Sequence, residues 1–173
     1  MSVILEALVK ETWQEVGSLS MTEAQRSMSQ IAKSQPHLLA FVMGTTGDLK
    51  SDAQQVAVYL FVVIHRMFEK AAGGIRRAEP KAIDAAYERN EAFLEKFEGA
   101  HSRFLNKAAE SMTSSQPFVM KYLVEALMEP PEGDDPLILS DEETGVIFLA
   151  LKTVIDVFDE ATQHPSPAGD GTA

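Results

Sequence analysis

The chain has 173 residues, 45% hydrophobic and 24% charged, with no cysteine and a formal net charge of −11 from 26 acidic and 15 basic side chains. This length and balance describe one globular domain with a sizeable core and argue against disorder of the whole chain. The missing cysteines exclude disulfides, thiol catalysis, thiolate metal sites and iron–sulfur clusters, and so acidic a surface repels phosphate backbones, so no nucleic-acid partner is expected.

The first six residues, Met1-Ser2-Val3-Ile4-Leu5-Glu6, lack a basic region followed by an apolar run and do not read as a signal peptide. The longest nearly uncharged apolar stretch, 56–64, is far shorter than the ~20 residues that span a bilayer. The expectation is therefore no membrane association and, by elimination, a cytoplasmic location. The compact basic cluster, Arg76-Arg77 with Arg66 and Lys70 upstream, reads as a solvated helix end and loop.

In chain order, residues 3–16 place Ile4, Leu5, Leu8, Thr12, Trp13 and Val16 on one helical stripe, which puts the single tryptophan in the core. Gly17-Ser18 ends that helix. Ser20 with Glu23 three residues later forms a capping box opening a second helix to about Lys33. Ser34-Gln35-Pro36 breaks the chain, and proline starts a short apolar helix through Met43 that Gly44 stops. Ser51 and Gln54 signal another capping box, opening a helix to about Ala72 that is apolar nearly all round through Ile64. A helix without a polar face belongs in the middle of a bundle.

Gly73-Gly74 begins the expected linker. Pro80 opens a helix with Ile83, Tyr87, Leu94, Phe97, Phe104, Leu105, Ala108 and Met112 in phase, and with Asn90 and His101 on the same stripe. It is one long helix or two kinked at Gly99. Ser115-Gln116-Pro117 breaks the chain again before a short helix to Met128. The acidic loop 129–136 reads as a solvated linker. Ser140 and Glu143 cap a last helix to about Thr162, and the tail 163–173, rich in Pro, Gly, Ser and Asp, is expected to be disordered.

The two Ser-Gln-Pro tripeptides lie 115 − 34 = 81 positions apart, and the flanking residues match at that offset. Leu38 meets Val119, Leu39 meets Met120, Phe41 meets Tyr122 and Val42 meets Leu123. Ser51-Asp52 matches Ser140-Asp141, and Phe68-Glu-Lys-Ala71 resembles Phe158-Asp-Glu-Ala161. The fold class expected is all-α: a single-domain bundle over 1–162, built by internal duplication from two similar helical repeats (about 1–72 and 80–162). A pseudo-two-fold axis would let the two central helices bury one another, since one unit cannot cover its own.

Concentrated chemistry is sparse. Glu98 and His101 have the Glu-x-x-His spacing of di-iron bundles, which need two such motifs and two further carboxylates; they are weak metal candidates. His65 sits at the end of an apolar run, and Arg66, Glu69 and Lys70 after it point to the helix emerging into water there. Ser34 and Ser115 recur at helix breaks and read as turn residues rather than nucleophiles. No phosphate loop or nucleophile elbow is present, and no cofactor is implied. The favoured reading is a cytoplasmic interaction or regulatory protein without catalytic activity, with a protein partner or self-association. The alternative is a small-molecule binder or enzyme with a pocket between the repeats near Tyr59, His65 and Arg66. The third is a metal-binding bundle.

Overall fold

The computed structural model describes residues 1–95, 114–129 and 137–163, and among them every regular element is an α-helix. In order these are α1 (Glu6–Gly17), α2 (Met21–Ser34), α3 (Pro36–Thr45), α4 (Ser51–Ala72), α5 (Pro80–Glu95), α6 (Pro117–Met128) and α7 (Asp141–Gln163). The long turn-free helix or kinked pair expected over 80–113 is described only to Glu95, so the kink at Gly99 lies outside the described residues, as do the acidic residues Glu132, Asp134 and Asp135 and the tail beyond 163.

The helix starts follow local chemistry, with one exception. Ser20 accepts from the Glu23 amide while the Glu23 carboxylate accepts from the Ser20 amide. Ser140 and Glu143 make the same reciprocal pair at α7. The box expected at Ser51 does not form: Lys50 is the N-cap without a side-chain bond, Ser51 Oγ accepts from Gln55, and Gln54 donates to the Met43 carbonyl at 3.2 Å. The backbone of Lys50 instead reaches the carboxylate of Glu143, so the start of α4 is held by the capping glutamate of α7. Gly44 does not stop α3, which continues through it and closes at Thr46, whose hydroxyl donates to the Val42 carbonyl. A helix end whose carbonyl is bonded by a threonine hydroxyl has no need of a glycine. At the end of α4, Gly73 does take the left-handed conformation (φ 71°), where a side chain would be strained.

α4 and α7 form the centre. They start side by side at Lys50 and Glu143 and converge on the Phe158 ring, which lies 6.3 Å from Phe61 and 5.4 Å from Phe68 between centroids. On α7 almost every residue from Ile147 to Asp159 is buried, because α3, α4, α5 and α6 all pack on it. α1 covers α4 with Val9, Thr12 and Val16, and α5 covers α7 with Ile83, Ala86 and Asn90. The stripe on α1 is narrower than its sequence suggests: Leu5 is 67% exposed and Trp13 40%. Val9, Thr12 and Val16 form the buried face instead.

Two buried glutamines tie the extended segments to the bundle. Proline at 36 and at 117 pushes the residue before it out of the helical region, leaving Gln35 at φ −130°, ψ 54° and Gln116 at φ −125°, ψ 67°. Gln35 Oε1 accepts from the Ala78 amide at 3.0 Å while its Nε2 donates to the Arg76 carbonyl at 3.1 Å. Gln116 Oε1 accepts from the Ile4 amide at 2.9 Å while its Nε2 donates to the Ser2 carbonyl at 3.3 Å. Each side-chain amide thus pairs with an extended strand as a backbone would, satisfying a buried N–H just before α1 or α5.

Candidate functional site

Tyr59, His65 and Arg66 stand on one helix but do not converge. His65 is only 6% exposed, with its ring edge-on to Phe158 at 5.6 Å. The emergence into water expected at this position does not occur. The charged residues that follow leave along the seam with α1, while the imidazole turns toward α7. Burial pushes the His65 pKa down, Glu69 opposes that shift and Arg66 adds to it. A buried imidazole against the Phe158 ring favours its neutral form.

Arg66 bonds Glu69 at 3.0 Å and Glu15 of α1 at 3.5 Å, and the neighbouring Lys70 bonds Glu11 at 3.0 Å and also Glu15. The hydrogen bond to Lys70 lowers the Glu15 pKa, with Arg66 adding a smaller pull. These pairs order the α1–α4 seam, and their exposure keeps each one weak.

Tyr59 is 44% exposed. It is seven residues from Arg66, so both lie on one stripe of α4. Its hydroxyl sits 3.7 Å from where a side chain on Gly17 would begin, and Trp13 lies one turn earlier than Gly17 on the same flank of α1. Tyr122 of α6 completes this corner: burial raises its pKa strongly, and the nearby Tyr59 adds to the shift. Lys121 beside it bonds Glu6 at 2.8 Å, joining α6 to α1. The α1–α4–α6 corner therefore carries two half-exposed aromatic rings and a half-exposed arginine.

A second cluster was only partly visible in the sequence. Asn90 of α5 donates to Thr153 Oγ1 at 3.3 Å and to Asp156 Oδ2 at 2.9 Å, and the Asp156 carboxylate also receives the ammonium of Lys152. Lys152 is 5% exposed, unusual for a lysine. Next to this group, Asp159 accepts from Ser115 Oγ and from Gln116 Nε2, both at 2.7 Å. Asn90 on an apolar stripe and a lysine–aspartate pair four residues apart inside an apolar run are the signals that mark it. Ser34 makes a local bond to the Ile31 carbonyl.

Glu98 and His101, the metal candidates, lie outside the described residues. Among the described residues no group of three or more His, Cys, Asp or Glu side chains could hold a metal ion, and no helix is long and apolar enough to cross a membrane. No family model, no curated protein and no solved structure matches this chain.

Proposed function

We propose that the chain is a non-catalytic interaction or regulatory protein that docks a protein partner on the α1–α4–α6 corner. The observation that carries this reading is the grouping of Trp13 and Tyr59, 40% and 44% exposed, with Arg66 on the same stripe of α4 as Tyr59. Tryptophan, tyrosine and arginine are the side chains that most often anchor protein interfaces. The rim of exposed ion pairs, Glu6–Lys121 and Glu15–Arg66, is the polar border such a patch requires. For a pocket on the axis between the central helices the packing offers less support, since the Phe158 ring occupies the space beside His65.

The test compares the wild-type chain with a Trp13→Ala/Tyr59→Ala variant in affinity capture from its native host. Any captured protein is then titrated against wild type while the fluorescence of the single tryptophan is followed, and against the variant, which lacks that fluorophore, by calorimetry. A blue shift with wild type and loss of binding in a variant of unchanged helicity supports the reading. Equal binding by the variant overturns it.

We also infer that the two halves are copies of one unit. The paired glutamines, 81 positions apart, support this, as do the stripes on α1 and α5, where 83 − 9, 86 − 12 and 90 − 16 all give 74. The clasped residues share that spacing, Ile4 with Ala78 and Ser2 with Arg76. On this register α1 corresponds to α5 at an offset of 74, against 81 for the Ser-Gln-Pro segments. The ion pair Glu15–Lys70 between α1 and α4 then recurs as Arg89–Glu160 between α5 and α7, with the charges exchanged.

A further inference from the structure

The clasps are reciprocal. Gln35, in the first half, holds the strand that leads into the second half's α5; Gln116, in the second half, holds the strand that leads into the first half's α1. Part of the contact between the halves is paired in the same way: α1 meets α6 and α3 meets α5, while α4 meets α7; α3 also packs on α7, without a comparable contact between α6 and α4. Through the clasps and these paired contacts each half presents to the other part of the surface that it receives, as in an isologous dimer interface. Between α4 and the clasped strand the covalent link runs through Gly73 and Gly74, both at positive φ.

We propose that this interface also forms between two copies of the chain, by exchange of halves about the Gly73–Gly74 hinge. The first half of one copy closes on the second half of another, and every clasp and ring contact is kept. The occupant of each inter-half surface is then the complementary half of a second copy. This surface is separate from the Trp13–Tyr59 corner and does not depend on the role proposed for it. The physical control is effective concentration. A short linker that reaches holds its halves together at about millimolar effective concentration, and one that cannot reach lowers this toward zero. The intact chain therefore closes on itself when dilute and exchanges when refolded at high concentration. Removing Gly73 and Gly74 takes up to about 7 Å from the reach of the linker and shifts the balance to the exchanged dimer.

The exposed pair Lys121–Glu6 reports the exchange, because it joins the halves at 2.8 Å and a carbodiimide converts it to a covalent amide. Heavy-isotope-labelled and unlabelled full-length chains are mixed in urea and refolded at high concentration. Mass is measured by light scattering, and the cross-linked peptides by mass spectrometry. The same is done for the chain lacking Gly73 and Gly74. The expected result is a dimer of doubled mass in which Lys121–Glu6 cross-links join a labelled to an unlabelled peptide, enriched in the hinge-deleted chain. A hinge-deleted chain that folds as a monomer overturns the proposal, as does a dimer whose Lys121–Glu6 links are all within one isotope. If the deletion prevents folding, the wild-type refolding decides alone: Lys121–Glu6 links that join a labelled to an unlabelled peptide support exchange, and monomer at every concentration, or dimers whose links are all within one isotope, overturn it.

Discussion

Replacing Gln116 with alanine tests the clasp most directly. In the native structure the Ile4 amide, on a residue 2% exposed, has Gln116 Oε1 as its acceptor, and Asp159 receives the Gln116 Nε2 proton. The truncation strands the first and weakens the second. The Ser2 carbonyl, on an exposed residue, exchanges its bond for water at little cost. An unsatisfied buried amide costs about 1–3 kcal/mol, and losing a bond to a charged acceptor costs a similar amount. Water entering the vacated space offsets part of this. The expected loss is about 2–4 kcal/mol, which corresponds to a fall in Tm of roughly 5–15 °C for a chain of this size. Urea unfolding should show it as a lower midpoint with an unchanged slope. Hydrogen exchange should show the Ile4 amide protected in wild type and unprotected in the variant. Gln116→Glu keeps the acceptor for Ile4 but sets a carboxylate against Asp159, so it should be as damaging at neutral pH and recover partly in acid. An unchanged midpoint in Gln116→Ala with a still-protected Ile4 amide would refute the reasoning.

His65 has a pKa lowered in the folded state. Above the ordinary histidine value of about 6.5 neither state binds the proton and the stability is intact. As pH falls below that value the unfolded chain takes the proton first, so stability drops until the lowered folded pKa is reached; His65→Leu should flatten this acid limb in urea midpoints taken between neutral and acid pH. Ser140→Ala should cost about 1 kcal/mol through loss of the cap, whereas Ser51→Ala should leave the midpoint nearly unchanged, because Ser51 caps nothing; equal effects would contradict the assigned helix starts. Lys152→Ala removes the ammonium from Asp156, which keeps its bond from Asn90 and is partly exposed, and should cost about 1–3 kcal/mol, while Lys152→Met/Asp156→Leu, replacing the pair by apolar side chains, should recover part of it. A double variant no more stable than the single one would show that the pair is not the source of the effect.

What the sequence determined by itself is local. Helix type, most helix ends, the boxes at Ser20 and Ser140 and the breaks before Pro36 and Pro117 depend on residues within one turn of each other, and they read directly. The apolar runs of α4 and α7 likewise announced a central position. What only the tertiary structure decided are the matters that depend on a distant partner. His65 is interior because the Phe158 side of α7 meets it, and nothing in the charged run after it reports that. Ser51 lies inside α4, with Lys50 at the N-cap position, and the Glu143 carboxylate, far along the chain, lies near the Lys50 backbone. Trp13 is part-exposed because the face of α1 that the bundle covers is the one carrying Val9, Thr12 and Val16. The serines of the two Ser-Gln-Pro breaks read as turn residues, and nothing local singles out the glutamines beside them. Only folding brings Gln116 to Ile4 and Gln35 to Ala78, and a side-chain amide acquires a backbone partner only when the rest of the bundle has delivered one.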